Sequence, residues 1–149
     1  EPPDVWIASD GAAVAVRQGR DAILLRPEAR RFAADLWARR RGLAISADPE
    51  RARDGLFACD RFACRPGTGA DLAFWAGKKP PKRAVYDQLC APGRLVILRS
   101  DPHGRGCEDA FLLTARDFAQ GGSAELWRTP GGWRVRWAND LRGRRPWTG

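Results

Sequence analysis

Apolar residues in this chain come in short runs, each cut off by a turn signal, and that punctuation limits what it can fold into. Val5-Trp6-Ile7-Ala8 ends at Ser9-Asp10-Gly11. Ala13-Val14-Ala15-Val16-Arg17 ends at Gln18-Gly19-Arg20, and Asp21-Ala22-Ile23-Leu24-Leu25-Arg26 follows. Three β-rich runs joined by two tight turns predict an antiparallel meander. No run approaches the roughly 18–20 apolar residues of a membrane span.

Pro27 then opens a predicted helix over 28–41, which Gly42 stops. Ala29, Phe32, Ala33, Leu36 and Trp37 fall at i, i+3, i+4, i+7 and i+8, so Phe32, Leu36 and Trp37 are expected in the core. Residues 46–54 read as a polar loop. Residues 56–59 and 62–65 read as short strands around Asp60-Arg61, and 72–76 as a third. Residues 77–83 form a basic loop that Pro80 and Pro81 keep extended, followed by a short helix over 84–90. Leu95-Val96-Ile97-Leu98 is continuously apolar, the pattern of a strand buried on both faces. Residues 110–113 are another strand. Thr114-Ala115-Arg116-Asp117 has the form of a capping box, opening a helical turn that ends at Gly121-Gly122. Residues 124–128 and 133–137, joined by Thr129-Pro130-Gly131-Gly132, predict a hairpin; Trp133, Val135 and Trp137 share one face, Arg134 and Arg136 the other. Trp6, Trp37, Trp75, Trp133 and Trp137 all fall on apolar faces and are expected in the core. This order predicts one α+β domain over 1–149, with a mixed, largely antiparallel sheet and flanking helices.

Cys59, Cys64, Cys90 and Cys107 are an even set, spaced C-x4-C and C-x16-C. Zinc ribbons use closer knuckles, and a Cys-x-x-Cys redox motif is absent. A four-cysteine zinc site and four buried thiols stay open as alternatives. The expected arrangement is two disulfides, Cys59–Cys64 across the hairpin and Cys90–Cys107 from the short helix to the loop after the buried strand. Disulfides imply the oxidising side of a membrane.

The single histidine, His103, bounds the chemistry most tightly. It excludes His-cluster zinc sites and di-metal hydrolase centres. A Ser-His-Asp or Cys-His relay would need His103 itself, and Asp101-Pro102-His103-Gly104 is a loop pattern. No catalytic residue, metal ligand or cofactor is expected, so the chain is read as a non-enzyme. A histidine-independent hydrolase holding Mg²⁺ would have to draw on Asp4, Asp10, Asp21 and Asp101.

Basic residues number 26 against 18 acidic, a net charge of +8, and only Lys78, Lys79 and Lys82 are lysines. Such a balance favours polyanions. A genome-wide drift toward arginine, alanine, glycine and proline gives the same skew without a partner. The expected partner is DNA, bound weakly and without sequence preference. Candidate contacts are Arg39, Arg40, Arg41, Lys78, Lys79, Lys82, Arg83, Arg134, Arg136, Arg142, Arg144, Arg145 and Trp147. The cations would neutralise phosphates, and Trp147 would stack on a base. For Arg39 to Arg41 the plainer reading is that they complement a helix dipole and face solvent.

Several segments in order resemble the soluble C-terminal domain of the ComEC family, the membrane channels of bacterial DNA uptake, in its divergent alphaproteobacterial form. They are Pro3-Asp4-Val5-Trp6-Ile7 with Asp10-Gly11 and Val14-Ala15-Val16-Arg17; Phe57-Ala58-Cys59-Asp60 with Cys64; the Leu95 to Leu98 strand beyond Cys90; Thr114-Ala115-Arg116-Asp117-Phe118 leading to Gly121-Gly122-Ser123-Ala124; and Arg142-Gly143-Arg144-Arg145-Pro146-Trp147. Gln18-Gly19-Arg20-Asp21-Ala22 is similar to that family's Gly-Gln-Gly-Asp-Ala segment, with Arg20 inserted. The resemblance implies a degenerate metallo-β-lactamase-like fold that has lost its metal ligands, because one histidine cannot build that superfamily's His-x-His-x-Asp-His cluster. It further implies a place on the periplasmic side of the inner membrane, as part of a membrane protein. The channel domain of the same parent chain and other DNA-uptake proteins would then be partners. A chain with no methionine that opens Glu1-Pro2-Pro3 fits a processed or partial sequence. The alternatives to a DNA-contacting role are an oligomer-stabilising domain with incidental charge and the hydrolase above.

Overall fold

The computed structural model describes residues 1–67, 71–104 and 106–141. The meander is present as β1 (Val5–Ile7), β2 (Val14–Gln18) and β3 (Asp21–Leu24), each antiparallel to the next. The C-terminal hairpin, β10 (Ala124–Thr129) and β11 (Gly132–Trp137), joins it through β1. A two-residue strand, β4 (Ala44–Ile45), adds parallel to β3 and completes a six-stranded sheet ordered β11-β10-β1-β2-β3-β4. The middle of the chain makes a second sheet, ordered β5-β6-β7-β8-β9: β5 (Phe57–Cys59), β6 (Ala63–Pro66), β7 (Leu72–Trp75), β8 (Leu95–Leu98) and β9 (Phe111–Leu113). The first two pairings in this sheet are antiparallel and the last two parallel. The expected mixed, largely antiparallel pairing thus stands, divided between two sheets.

Strand alternation explains why the sheets face each other. Val5, Ile7, Val14, Val16, Ile23 and Leu126 of the first sheet share one apolar cluster with Phe57, Leu72, Phe74, Leu95, Ile97 and Leu113 of the second. The intervening residues point outward, and a helix covers each outer face. Helix α1 (Arg31–Arg40) lays Ala34, Trp37 and Ala38 on Trp6, Ala13, Ala15, Ala22 and Leu24. Helix α3 (Arg83–Leu89) lays Tyr86 and Leu89 on Ala63, Ala73, Val96 and Leu98. The layers therefore run helix, sheet, sheet, helix. Strand β8 is buried at all four residues because it lies between β7 and β9 with apolar clusters on both faces.

Helix α1 corrects the sequence reading in two ways. It starts at Arg31, not 28, because Arg30 takes a left-handed backbone conformation (φ 50°) at the N-cap. Its buried face is also turned away from the expected stripe. Trp37 is buried, Leu36 is half-covered, and Phe32 is 83% exposed. The sheet beneath offers Ala13, Ala15 and Ala22, and small residues allow close approach, so the helix docks by Ala34 and Ala38. Among the tryptophans expected in the core, Trp6 and Trp37 are buried, while Trp75, Trp133 and Trp137 are half-buried and pack at its margins.

The stretch read as a polar loop contains α2 (Pro49–Asp54), with Asp48 accepting a hydrogen bond from the Arg51 amide at its N-cap. The expected capping box opens α4 (Ala115–Gly121), and Ala138–Leu141 forms a short α5. Cys59 and Cys64 pair across the β5–β6 register, and Cys90 at the end of α3 pairs with Cys107 in the loop between β8 and β9. No described cysteine is free. Two disulfides are the chemistry of an oxidising, extracytoplasmic compartment. Among the described residues no helix is long and apolar enough to cross a membrane.

Candidate functional site

Two basic segments far apart in sequence meet on the outer face of the first sheet. Helix α1 covers β1 to β3 there, and β10 and β11 lie beyond its edge. Alternation along β10 points Glu125 and Trp127 outward; along β11 it does the same for Arg134 and Arg136. The register sets Glu125 opposite Arg136 and Trp127 opposite Arg134. Arg134 and Arg136 lie over the Trp127 ring, with guanidinium carbons 4.6 and 5.1 Å from its centroid. Such contacts suit arginine, whose planar group stacks and still keeps donors for an anion.

The last turn of α1 closes on this face. Arg41 donates to Glu125 through Nε at 2.8 Å and Nη2 at 2.7 Å, and Arg136 Nη2 donates to the same carboxylate at 2.7 Å. The Trp37 indole N–H adds a third partner at 2.8 Å. Trp37 in turn stacks on Trp6, centroids 6.0 Å apart. Burial raises the Glu125 carboxyl, but the hydrogen bonds from Arg41, Arg136 and Trp37 outweigh it and hold the group below the usual carboxylate range. Glu125 is therefore charged and fully engaged. Arg39 and Arg40 are exposed, and no described carboxylate pairs with them or with Arg134. Between α1 and β10–β11 lies a groove of about 560 Å³, lined by Trp6, Ala33, Leu36, Arg40, Arg41 and Arg136 among others. Exposed Phe32 stands on the same helix.

The structure thus unites Arg40, Arg41 and Arg136 at one groove, with Arg134 beside Arg136 on the Trp127 ring; Arg39 is exposed on α1 and does not line the groove. It does not bring Lys78, Lys79, Lys82 and Arg83 there. Those lie before and at the start of α3, on the opposite outer layer. Arg142, Arg144, Arg145 and Trp147 lie outside the described residues. Sequence reasoning missed Phe32 as a surface residue, and missed Trp127 and Glu125 as the parts that fix the arginines. The alternation of 124–128, read like that of 133–137, carried the signal for the latter two.

The four aspartates weighed as cation ligands are dispersed. Asp4 pairs with Arg17 at 2.7 Å and Arg128 at 3.5 Å, Asp10 pairs with Arg30, Asp101 accepts from the Arg116 amide, and Asp21 is exposed at the start of β3. Among the described residues no three His, Cys, Asp or Glu side chains gather as a metal-binding group. Comparison with protein-family models, curated proteins and solved structures finds no match to this chain.

Proposed function

We propose that this is a non-catalytic, extracytoplasmic binding domain that contacts DNA through the arginine face beside α1. The observation that carries the reading is the meeting of Arg41 and Arg136 on a single, already saturated carboxylate, with Arg40 lining the same groove and Arg134 stacked on Trp127 beside it. An unpaired surplus of guanidinium on one face is an electrostatic footprint for a phosphate backbone. The neighbouring aromatic and apolar residues, Phe32 and Leu36, give an unpaired base a surface to rest on. The resemblance to ComEC soluble domains supports a setting in a DNA-uptake channel on the periplasmic side of the inner membrane, and the disulfides agree with that compartment. The dispersal of Asp4, Asp10 and Asp101 onto separate partners favours binding over hydrolysis. The test is a titration of the chain with short single- and double-stranded DNA, alongside an Arg39→Glu/Arg40→Glu/Arg134→Glu variant. Loss of binding in the variant, with no cleavage by the parent chain in the presence of Mg²⁺, supports the reading. A chain that binds no DNA at low salt leaves the charge incidental and the domain structural.

A further inference from the structure

The basic loop that does not reach the arginine face builds a cleft of its own. Lys79, Pro80, Pro81, Lys82, Arg83, Tyr86, Pro102 and His103 line an open cleft of about 510 Å³, a volume in the range of small-ligand sites. Among the described residues no carboxylate lines it, and the nearest, Asp87 and Glu108, act on Tyr86 from outside the lining. The ammonium groups of Lys79 and Lys82 have no ion-pair partner among the described residues, while Arg83 lies over the Tyr86 ring and pairs with Asp87 one turn along.

Its walls are fixed from several sides. The Trp75 indole N–H donates to the Lys79 carbonyl at 2.8 Å, which anchors the loop, and the two prolines restrict its backbone. On the far wall the Tyr86 hydroxyl donates to the Gly106 carbonyl at 3.2 Å. Cys90–Cys107 ties the end of α3 to the same loop. Gly106 is pressed so closely on Tyr86 that a Cβ there would lie 2.6 Å from the ring. A cleft held open in this way needs little ordering when it binds.

We infer that this cleft is a second anion site, distinct from the arginine face, that takes a terminal phosphate group. A phosphate monoester carries about −1.5 to −2 charges and three acceptor oxygens. Two unpaired ammonium groups, a guanidinium and an imidazole around one opening suit such a compact multivalent anion better than a single carboxylate. The cleft sits on the α3 layer and the arginine face on the α1 layer, with both sheets between them. A ligand group in one is therefore not part of a track through the other. The same chemistry is offered by a soluble phosphate and by a phosphatidic acid headgroup.

The sequence has one histidine, so its ring resonances report on this cleft alone. Titrating the intact chain with inorganic phosphate should shift the His103 signals saturably, beyond any change caused by NaCl at matched ionic strength. Lys79→Glu/Lys82→Glu should lose that shift, while Arg39→Glu/Arg40→Glu/Arg134→Glu keeps it. Near-ultraviolet circular dichroism of the seven tryptophans checks that each variant is folded. Co-sedimentation with phosphatidic acid vesicles but not phosphatidylcholine vesicles, lost in the lysine variant, assigns the lipid source. The phosphate shift without co-sedimentation assigns a soluble phosphate. A phosphate shift no larger than the salt control, or one unchanged in the lysine variant, overturns the site. So does duplex DNA producing the same shift and losing it in the arginine variant, since the two faces would then be one surface. DNA binding by the arginine face fails or stands independently of these results.

Discussion

Glu125 ties the C-terminal end of α1 to the sheet, because Arg41, Arg136 and Trp37 all end on its carboxylate. Its folded-state pKa lies below its unfolded value, so the stability it contributes is present above the unfolded pKa and is lost as pH falls through the folded one. Glu125→Gln should cost about 1–3 kcal/mol near neutral pH and flatten the acid limb of a stability–pH profile. Chemical denaturation of both proteins between neutral and acid pH checks this. Two aromatic residues on α1 separate the expected stripe from the observed face. Trp37→Ala should cost about 3–5 kcal/mol. Phe32→Ser should stay within about 0.5 kcal/mol, because that ring already stands in solvent. Equal losses from the two changes would mean that α1 docks by the stripe the sequence suggested. That stripe misled because periodicity counts large apolar side chains. The sheet beneath instead selected Ala34 and Ala38, whose small size matches Ala13, Ala15 and Ala22.

At the scale of elements, strands and turns were the most legible features. Turn residues separated the β-runs within one or two residues of the observed strand ends, the alternation of 133–137 separated Arg134 and Arg136 from the half-buried tryptophans, and the Thr114 box opened α4 as read. Helix α2 was missed although Asp48-Pro49 is an N-cap followed by a proline at N1; its exposed charged surface gave no apolar stripe to notice. Strand β4 was missed because two residues carry no period. The disulfides act at this scale too. Cys90–Cys107 closes a separation of 17 residues, so its removal should cost about 3 kcal/mol in the loop-entropy model, and removal of Cys59–Cys64, five residues apart, should cost less. Paired Cys→Ser variants compared by denaturant unfolding give both values. At Gly121, in the last turn of α4, a Cβ would overlap the Trp137 ring of β11. Gly121→Ala should therefore lower the melting temperature, and a neutral result would show that α4 does not press on that strand.

Across the whole molecule, the division into two sheets could not be read from element order, because the chain leaves the first sheet after β4 and returns to it only with β10. The same topology kept the proposed binding surface hidden in the sequence. Residues 39–41 and 134–136 gave two basic segments with no sign that they meet, whereas 78–83 looked equivalent to them and lies on the other layer. We propose that the meeting of those two segments makes a phosphate-binding face. The most direct test is the salt dependence of DNA binding by the intact chain. A face engaging Z phosphates gives a log–log slope of about −0.9Z on duplex and about −0.7Z on single strands. Binding should be measurable at low salt and nearly lost at physiological salt. The slope should be shallower for Arg39→Glu/Arg40→Glu/Arg134→Glu, reduced by about one for each contact removed. A slope unchanged by that variant, or no binding at low salt, would contradict this proposal.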